Sequence, residues 1–261
     1  KPPFTTSTLQ QEAARKLRSS ARKTMRMAQR LYEQGFITYM RTDSTNLSAE
    51  GINGARNEIM SRFGKEYLPD QARVYATKVK NAQEAHEAIR PAGVTFVPVD
   101  KVRSAIDEDT ARLYDLIRKR TLASQMKSAK VKQIAVFIEN QKSEFRANGK
   151  VILFPGYMAA YVESTDQRNG VTEDQETILP NLEKDQDLNC NALIAEDHET
   201  KPPARFTEAS LVKELEAKGI GRPSTFANII DTIVYRTYVT RDQGKLTPTF
   251  LGIAVTQLLE N

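Results

Sequence analysis

Cysteine and tryptophan are almost absent from this chain of 261 residues, which contains one cysteine, Cys190, and no tryptophan. A single cysteine excludes an internal disulfide framework and any zinc site that needs several cysteines. It is typical of a reducing compartment, so we expect a cytoplasmic protein. The first residues, KPPF, include neither an initiating methionine nor the apolar core of a signal peptide. We therefore expect the chain to be part of a longer protein.

Long hydrophobic runs are also missing. The most apolar stretch, residues 151–162, is too short to span a bilayer and is interrupted by Pro155 and Gly156, so the sequence predicts no membrane segment. Apolar residues make up 39% of the chain and charged residues 27%, which is the composition of a globular protein. The length predicts about one to three domains.

Charge is distributed unevenly along the chain. The net charge is +5, but residues 1–41 carry nine basic and two acidic side chains, whereas residues 163–199 carry eleven acidic and two basic ones. Such segregation is expected of a protein that binds a polyanion, because each neutralised phosphate releases a counterion. Solvated charged helix faces explain the same pattern, and charge alone does not choose between the two.

The first half of the sequence predicts mainly helices. Helical segments are expected at residues 8–19, 20–34, 48–63, 81–90 and 107–126. The fourth of these ends at Arg90 because Pro91 follows it. The β-branched and aromatic residues 36–40 predict a short strand, followed by a polar loop at residues 42–46.

The second half predicts strands and then a helical module. Residues 130–195 have the two-residue periodicity of strands, expected near residues 131–138, 150–154 and 192–194, with Asn148-Gly149 and acidic loops between them. Helices are then predicted over residues 207–218 and around residues 229–233, joined by a turn at 219–224. A hairpin at 238–247 and a last helix after Pro248 complete the order of a winged helix-turn-helix.

A weak internal repeat extends this interpretation. An offset of 199 residues aligns residues 8–48 with 207–247 and gives six identities in 41 positions, among them Tyr39 with Tyr238. The sequence therefore predicts an α+β fold, mainly helical, in which two winged-helix-like modules flank a β-rich segment.

Tyr39 is the first candidate for chemistry. It lies two residues before Arg41, so the two side chains share one side of the predicted strand. A tyrosine in a strand is usually a packing residue. As a nucleophile it needs a nearby cation to activate the phenol and to stabilise phosphoryl oxygens, and Arg41 meets both needs. Asp43 either orients Arg41 through a bidentate pair or caps the loop.

His86, one of two histidines, shares a face of the predicted helix 81–90 with Glu87 and Arg90. No second histidine or cysteine lies at ligand spacing, so metal binding is not expected. Two interpretations of His86 stay open. It is either a hydrogen-bonding or proton-relay group near a phosphate, or a residue on a solvated helix face.

Arg222, Ser224 and Thr225 open a predicted helix directly after two glycines. Backbone N–H groups, a guanidinium and two hydroxyls at the positive end of a helix favour a phosphate-binding turn. N-capping by Ser224, with Arg222 in solvent, is the alternative. The acidic residues between 183 and 187 are interpreted as a charged loop and not as a Mg²⁺ site.

Three stretches, taken together and in this order, resemble bacterial type IA DNA topoisomerase I. They are ITYMRTDSTNLS at residues 37–48, QEAHEAIRP at 83–91 and GIGRPST at 219–225. Supporting matches are TSTLQQ at 6–11 and KPPARFTEASL at 201–211, so the resemblance covers nearly the whole chain.

The resemblance implies that Tyr39 attacks a phosphodiester of single-stranded DNA, forms a 5′-phosphotyrosine bond and frees a 3′-hydroxyl. Another strand then passes and the nick is resealed, which relaxes negatively supercoiled DNA without ATP. Arg41 would hold the scissile phosphate, with His86 in support. The catalytic set is thus Tyr39, Arg41 and His86, and the DNA-binding set is Arg41, Asp43, Arg222, Ser224, Thr225 and Arg236. The sequence YRTY at 235–238 replaces the family's usual DRGY beside Arg236.

The resemblance also implies that part of the machinery lies elsewhere. The family's catalytic lysine and Mg²⁺-binding acids belong to an N-terminal Toprim domain, so Mg²⁺ would bind there and no metal site is expected in this chain. Residues 1–126 would be the active-site-tyrosine domain, 127–199 part of the β-rich arch, and 200–261 part of the domain that grips single-stranded DNA. We expect a monomer, associated with the bacterial nucleoid and inactive without the Toprim domain.

The competing interpretation is a non-catalytic module that binds single-stranded nucleic acid, with Tyr39 as a stacking or core residue. A tyrosine recombinase is disfavoured, because the expected array of separated arginines and histidines around a C-terminal tyrosine is not evident.

Overall fold

A computed structural model describes residues 1–75, 86–163, 179–180, 182–200 and 202–260. The helices within them are α1 (Thr6–Leu17), α2 (Ala21–Glu33), α3 (Ala49–Arg62), α4 (Val99–Ala105), α5 (Glu108–Gln125), α6 (Glu208–Ala217), α7 (Phe226–Tyr235) and α8 (Phe250–Glu260). The strands are β1 (Lys130–Asn140), β2 (Ser143–Phe154), β3 (Val239–Asp242) and β4 (Lys245–Pro248). The predicted mixture of many helices with few strands is confirmed. None of these helices is both long and apolar enough to span a bilayer.

The main core lies between α1, α2 and α5. Its fully buried side chains include Phe4, Leu9, Leu31, Leu113 and Ile117. The helices around it begin at residues whose side chains accept backbone N–H bonds, which supply partners for groups that a helix start leaves unsatisfied. These caps are Thr5, Ser20 and Asp107.

A second core packs α3 against the C-terminal end of α5. Ala55 and Ile59 of α3 meet Leu122 of α5, and Phe96 and Met126 complete the cluster. Ser48 caps α3 by accepting the Gly51 N–H. The predicted helices at 48–63 and 107–126 are therefore both confirmed.

Strands β1 and β2 form a long two-stranded antiparallel hairpin. Its register pairs Asn140 with Ser143, so the turn is at residues 141–142. The predicted turn at Asn148-Gly149 is wrong, because both residues lie inside β2 and pair with β1. The predicted strand at 192–194 is also wrong, since these residues are exposed and have no regular structure.

The C-terminal module consists of α6, α7 and the hairpin β3–β4. Val212, Leu215, Phe226 and Ile230 form its core, and this core includes Ala21 from the start of α2. The module thereby packs against the first part of the chain. The predicted order of helix, turn, helix, hairpin and final helix is confirmed.

Two predicted elements differ from the structure. Residues 36–40 form no strand but one isolated bridge, between Ile37 and Pro91. Residues 86–90 are not helical, and the rest of the predicted helix 81–90 lies outside the described residues. The physical reason is that the backbone donors of this segment bond across to other segments: the Ala88 N–H donates to the Asn46 carbonyl and the Ile89 N–H to the Phe4 carbonyl.

The internal repeat is present at the helix starts, but at another offset. Thr5 with Thr8 and Thr207 with Ser210 form the same reciprocal capping box, which places the two modules 202 residues apart instead of 199. The similarity ends after the second helix. Where β3 and β4 follow α7, only an isolated bridge follows α2.

Candidate functional site

Tyr39 belongs to an extended segment in which buried and outward-facing residues alternate. Met40, Thr42 and Ser44 are buried, whereas Arg41 is exposed and Tyr39 and Asp43 are half-buried. The predicted sharing of one face by Tyr39 and Arg41 therefore agrees with this alternation, although the segment is not a paired strand.

One side of this segment is fixed by Thr6, at the start of α1. The Thr6 hydroxyl donates to the Met40 carbonyl at 2.7 Å and accepts the Thr42 N–H at 2.8 Å. The Thr6 N–H in turn donates to the Thr42 carbonyl at 2.9 Å. These buried bonds hold the backbone on either side of Arg41.

The other side is fixed by residues 86–92. The Thr38 N–H donates to the Arg90 carbonyl at 2.9 Å, and the Arg90 N–H returns a bond to the Thr38 hydroxyl at 3.0 Å. That hydroxyl also donates to the Ala88 carbonyl at 2.9 Å. Tyr39 thus lies between two bonded neighbours, and its backbone has little freedom.

The ring of Tyr39 lies between two other rings. Its centroid is 5.3 Å from that of Tyr32, edge to face, and 5.1 Å from that of His86, at an interplanar angle of 54°. His86 is exposed, so the imidazole and the phenol share an accessible surface. Two of the residues singled out by sequence are therefore neighbours.

Arg41 and Asp43 have no side-chain hydrogen bond or ion pair within the described part of the chain. The predicted pair between them is not formed there, and Asp43 does not cap the loop. The hydroxyls of Thr42 and Ser44 do so instead, accepting the N–H groups of Ser44 and Asn46 at 3.0 and 3.1 Å. The guanidinium of Arg41 is thus exposed and accessible.

Arg90 has a different environment from the one that the sequence predicts. It is 3% exposed, and its guanidinium donates two bonds of 2.9 Å to the Glu87 carboxylate. Burial alone would raise the pKa of Glu87, but the hydrogen bonds from Arg90 and Ser48 outweigh it and hold the pKa below its ordinary value. The sequence predicts both residues on a helix face and gives no sign of this burial.

The turn before α7 carries the second group of candidates. Arg222, Ser224 and Thr225 are exposed, and the Arg222 N–H donates to the Thr225 hydroxyl at 2.8 Å. N-capping by Ser224 is wrong: Thr225 occupies the cap position, with no side-chain cap bond. Gly221 has φ +81°, and a Cβ there would lie 2.8 Å from Ile229, so this turn requires glycine.

Arg236 lies at the opposite end of α7 from this turn. At 1.5 Å per residue the helix separates the two by about 15 Å. Arg222 and Arg236 are exposed and form no ion pair within the described residues. The two guanidiniums therefore do not belong to one pocket.

Much of the positive charge on α2 is already paired. Arg22 contacts Asp231 of α7 at 3.2 Å, and Lys23 and Arg30 contact Asp109 and Asp107 at the start of α5. These cations serve contacts between helices. Clustered basic residues in the sequence are therefore a poor guide to the anion-binding surface here.

Acidic side chains do not gather into a metal centre in the described part of the chain. No group of three or more histidine, cysteine, aspartate and glutamate residues there has suitable geometry. Glu183, Asp185 and Asp187 lie on an exposed segment without regular structure beyond a turn. The side chains described do not fit a Mg²⁺ site.

Comparisons with known proteins agree with the motifs. A family model described as DNA topoisomerase matches residues 1–261. The chain is 54% identical over its full length to DNA topoisomerase 1 of Synechocystis sp., and 57% identical over 99% of its length to that of Synechococcus elongatus. It covers 29% of each relative's length.

The fold is also similar to a solved structure. A full-length topoisomerase I from Thermotoga maritima superposes with a TM-score of 0.77 at 38% identity, over 99% of this chain and 42% of that one. The fold and the motifs define a type IA topoisomerase. The chain belongs to the DNA topoisomerase family and corresponds to a part of bacterial type IA topoisomerase I.

Proposed function

We propose that this chain supplies the nucleophile and part of the DNA grip of an ATP-independent type IA DNA topoisomerase. The observation that carries the proposal is the setting of Tyr39. Its phenol lies against His86 on an accessible surface, with the exposed Arg41 on the same face of a rigidly bonded segment. This arrangement suits attack on a phosphodiester.

In the cleavage step the Tyr39 oxygen forms a bond to phosphorus as the bond from phosphorus to the 3′-oxygen breaks. The phenol loses its proton, and the departing 3′-oxygen gains one to become a hydroxyl. Resealing reverses these changes. One phosphodiester replaces another in each direction, so no ATP is consumed.

Arg41 and His86 are proposed to assist this step. The Arg41 guanidinium would hold the non-bridging oxygens of the scissile phosphate, where negative charge must be stabilised. His86, in contact with the Tyr39 ring, would donate a hydrogen bond to the same phosphate or relay a proton. Asp43 would lie at the DNA-binding surface and orient Arg41 once DNA is bound.

The C-terminal module is proposed to grip single-stranded DNA as a winged-helix-like domain. Arg222, Ser224 and Thr225 would bind a phosphate at the N-terminus of α7, where the positive end of the helix dipole favours an anion. Arg236 would contact a more distant nucleotide. The docking of α7 against α2, which leads directly to the Tyr39 segment, supports one continuous DNA path.

The remaining machinery is assigned to other parts of the enzyme. Mg²⁺ would be held by a Toprim domain, since the residues described here do not form a site for it. Residues 1–126 would form the tyrosine domain, 127–199 part of the arch and 200–261 part of the DNA-gripping domain. Negatively supercoiled DNA would be the substrate of the whole enzyme, acting as a monomer.

Removal of a single hydroxyl, that of Tyr39, tests the proposal. In a chimera, this chain replaces the matching segment of the Synechocystis relative, and relaxation of negatively supercoiled plasmid is measured. Tyr39→Phe is expected to abolish relaxation while binding of single-stranded DNA stays near normal. Tyr32→Phe removes a hydroxyl from the adjacent ring and is the matched control. Retained relaxation in Tyr39→Phe would favour the non-catalytic binding module instead.

The DNA grip has its own test. Binding of single-stranded DNA to the chain is measured over a range of salt concentrations. Arg222→Gln is expected to weaken binding and to lower the slope of log affinity against log salt by about 0.7, the value for one lost phosphate contact. Lys23→Gln removes a cation already paired with Asp109 and should leave the slope unchanged. Salt-independent binding would contradict the proposal.

A further inference from the structure

We propose that Ser48, Glu87 and Arg90 form a clasp that positions the His86 imidazole against the Tyr39 ring. Arg90 is then a positioning residue and not a DNA contact. The inference rests on the proposed function of Tyr39 and extends it to one buried residue, Arg90, and its two half-buried partners.

The clasp joins the two segments that form the site. Besides its two bonds to Glu87, the Arg90 guanidinium donates to the Ser48 hydroxyl at 3.1 Å. Glu87 also accepts the Ser48 N–H at 3.0 Å. Ser48 ends the loop that begins at Tyr39, and Glu87 directly follows His86. The ion pair between buried Arg90 and half-buried Glu87 therefore connects the loop of Tyr39 to the backbone next to His86.

Arg90 has no charge or donor left for a phosphate. Its guanidinium also donates to the Pro91 carbonyl at 2.8 Å and to the Gly93 carbonyl at 3.3 Å, and the carboxylate of Glu87 neutralises it. A buried arginine with these partners is costly to displace, because any donor that is freed must find another acceptor.

Helix α3 restricts this side chain further. A Cβ at Gly51 would lie 2.5 Å from both Cδ and Nε of Arg90, so the helix backbone lies directly against the arginine. A lysine at position 90 keeps the charge but cannot reproduce the planar, bidentate contact with Glu87. Arg90→Lys therefore tests the geometry of the contact with Glu87 while the charge at position 90 stays the same.

The readout is the imidazole signal of His86 in proton NMR of the chain. The chain has only two histidines, and exposed His198 serves as an internal reference. At a centroid distance of 5.1 Å, the Tyr39 ring shifts the His86 resonance, and Tyr39→Leu defines the position without that ring. Arg90→Lys and Glu87→Gln are both expected to move the His86 signal toward this position while His198 stays unchanged.

Arg120→Lys is the matched control. Arg120 is also 3% exposed and bonds to a carboxylate and a carbonyl, those of Glu163 and Pro2, so its loss should lower stability without moving the His86 signal. Circular dichroism establishes folding. Glu87→Gln decides the question if Arg90→Lys does not fold. An unchanged His86 shift in either folded variant overturns the clasp.

A kinetic measurement separates this inference from the proposed function. In the chimera, Arg90→Lys is expected to slow DNA cleavage by about tenfold or more at unchanged DNA affinity, because misplaced catalytic groups lower the chemical step. If Tyr39→Phe retains cleavage, the proposed function fails, whatever the NMR result. If Tyr39→Phe is inactive but Arg90→Lys keeps both the His86 shift and the cleavage rate, only the clasp fails.

Discussion

The nucleophilic role proposed for Tyr39 depends on its neighbours. A tyrosine between Tyr32 and His86 would be ordinary aromatic packing if its hydroxyl were buried. Here the ring is half-buried, and the residues beside it in sequence are fixed by bonds to Thr6. Rigid backbone and an accessible side chain together allow a weak nucleophile to be held at one geometry.

Thr6→Val tests whether that rigidity is real. The substitution preserves the shape but leaves the Met40 carbonyl and the Thr42 N–H without their buried hydroxyl partner, so the free energy of unfolding should fall by about 1–3 kcal/mol. Thr121→Val is the control, because among the described residues the Thr121 hydroxyl bonds one group alone, the Ile117 carbonyl within α5. Equal losses in chemical denaturation of the two variants would argue against a special role for Thr6.

Gly51→Ala is expected to destabilise the protein, although alanine favours a helix over glycine by about 1 kcal/mol. The added Cβ would displace the Arg90 side chain from its clasp. Asn53→Ala, at an exposed position in the same helix, should be neutral or stabilising. A rise in melting temperature for Gly51→Ala would show that Arg90 has room to move.

For single residues, the sequence predicts which side chains face outward better than it predicts which charged side chains are buried. The two-residue alternation correctly placed Tyr39 and Arg41 on one face, because an extended backbone alternates whether or not it is paired. It gave no indication that Arg90 is buried. Charged residues before a proline are ordinarily exposed, and the partners of Arg90 include Ser48, which is distant in sequence.

At the scale of elements, hydrophobic periodicity predicted most helices but failed where hydrogen bonds between distant segments determine the structure. The segment 86–90 has no helix because Asn46 and Phe4 supply its acceptors, and neither is near in sequence. The capping boxes at Thr5 and Thr207 are local and more informative than residue identities, which suggested the wrong offset.

The stability that the Asp107 cap gives to the start of α5 should depend on pH. Burial would raise the pKa of the Asp107 cap, but bonds from Thr110 and the charge of Arg30 outweigh it and lower the pKa below 3.8. The ionised Asp107 carboxylate therefore contributes its full stabilisation at pH values above 3.8, its ordinary pKa. This stabilisation is lost as the pH falls through the lower pKa that Asp107 has in the folded state.

Asp107→Asn keeps a cap but removes the charge. It should lower the free energy of unfolding at pH 7 by about 0.5 kcal/mol, because a negative charge favours a helix N-terminus. The difference from the unchanged chain should shrink as the pH falls below 3.8. Thermal melts at several pH values measure this. A difference that stays constant or grows in acid would contradict the assignment.

At the scale of the whole molecule, the C-terminal module is held to the first part by polar contacts around a small core. Glu208 accepts the Ala21 N–H at 2.8 Å, and Ser7 donates to Glu216 at 2.7 Å. The link between the two parts includes the exposed residues 183–200. The sequence could not predict this docking, since its contacts join residues about 200 positions apart.

Cleavage of that link tests the docking. With a specific protease site inserted beside Lys184, the two pieces are expected to elute together after cleavage. Glu208→Lys should separate them by placing a positive charge against the Ala21 N–H and Arg241. Glu183→Lys, in the exposed segment, is the control. Pieces that separate without any substitution would mean that the interface is too weak to fix the DNA path.

The most direct measurement of the central claim is covalent trapping. End-labelled single-stranded DNA is incubated with Mg²⁺, this chain and the proposed Toprim domain, expressed from the Synechocystis relative. The mixture is then denatured, and the adduct is mapped by mass spectrometry. The chain has nine tyrosines, so mapping is decisive. We expect a 5′-phosphotyrosine adduct at Tyr39, dependent on the added domain and absent from Tyr39→Phe. An adduct on another residue, or one that persists in Tyr39→Phe, would contradict the account.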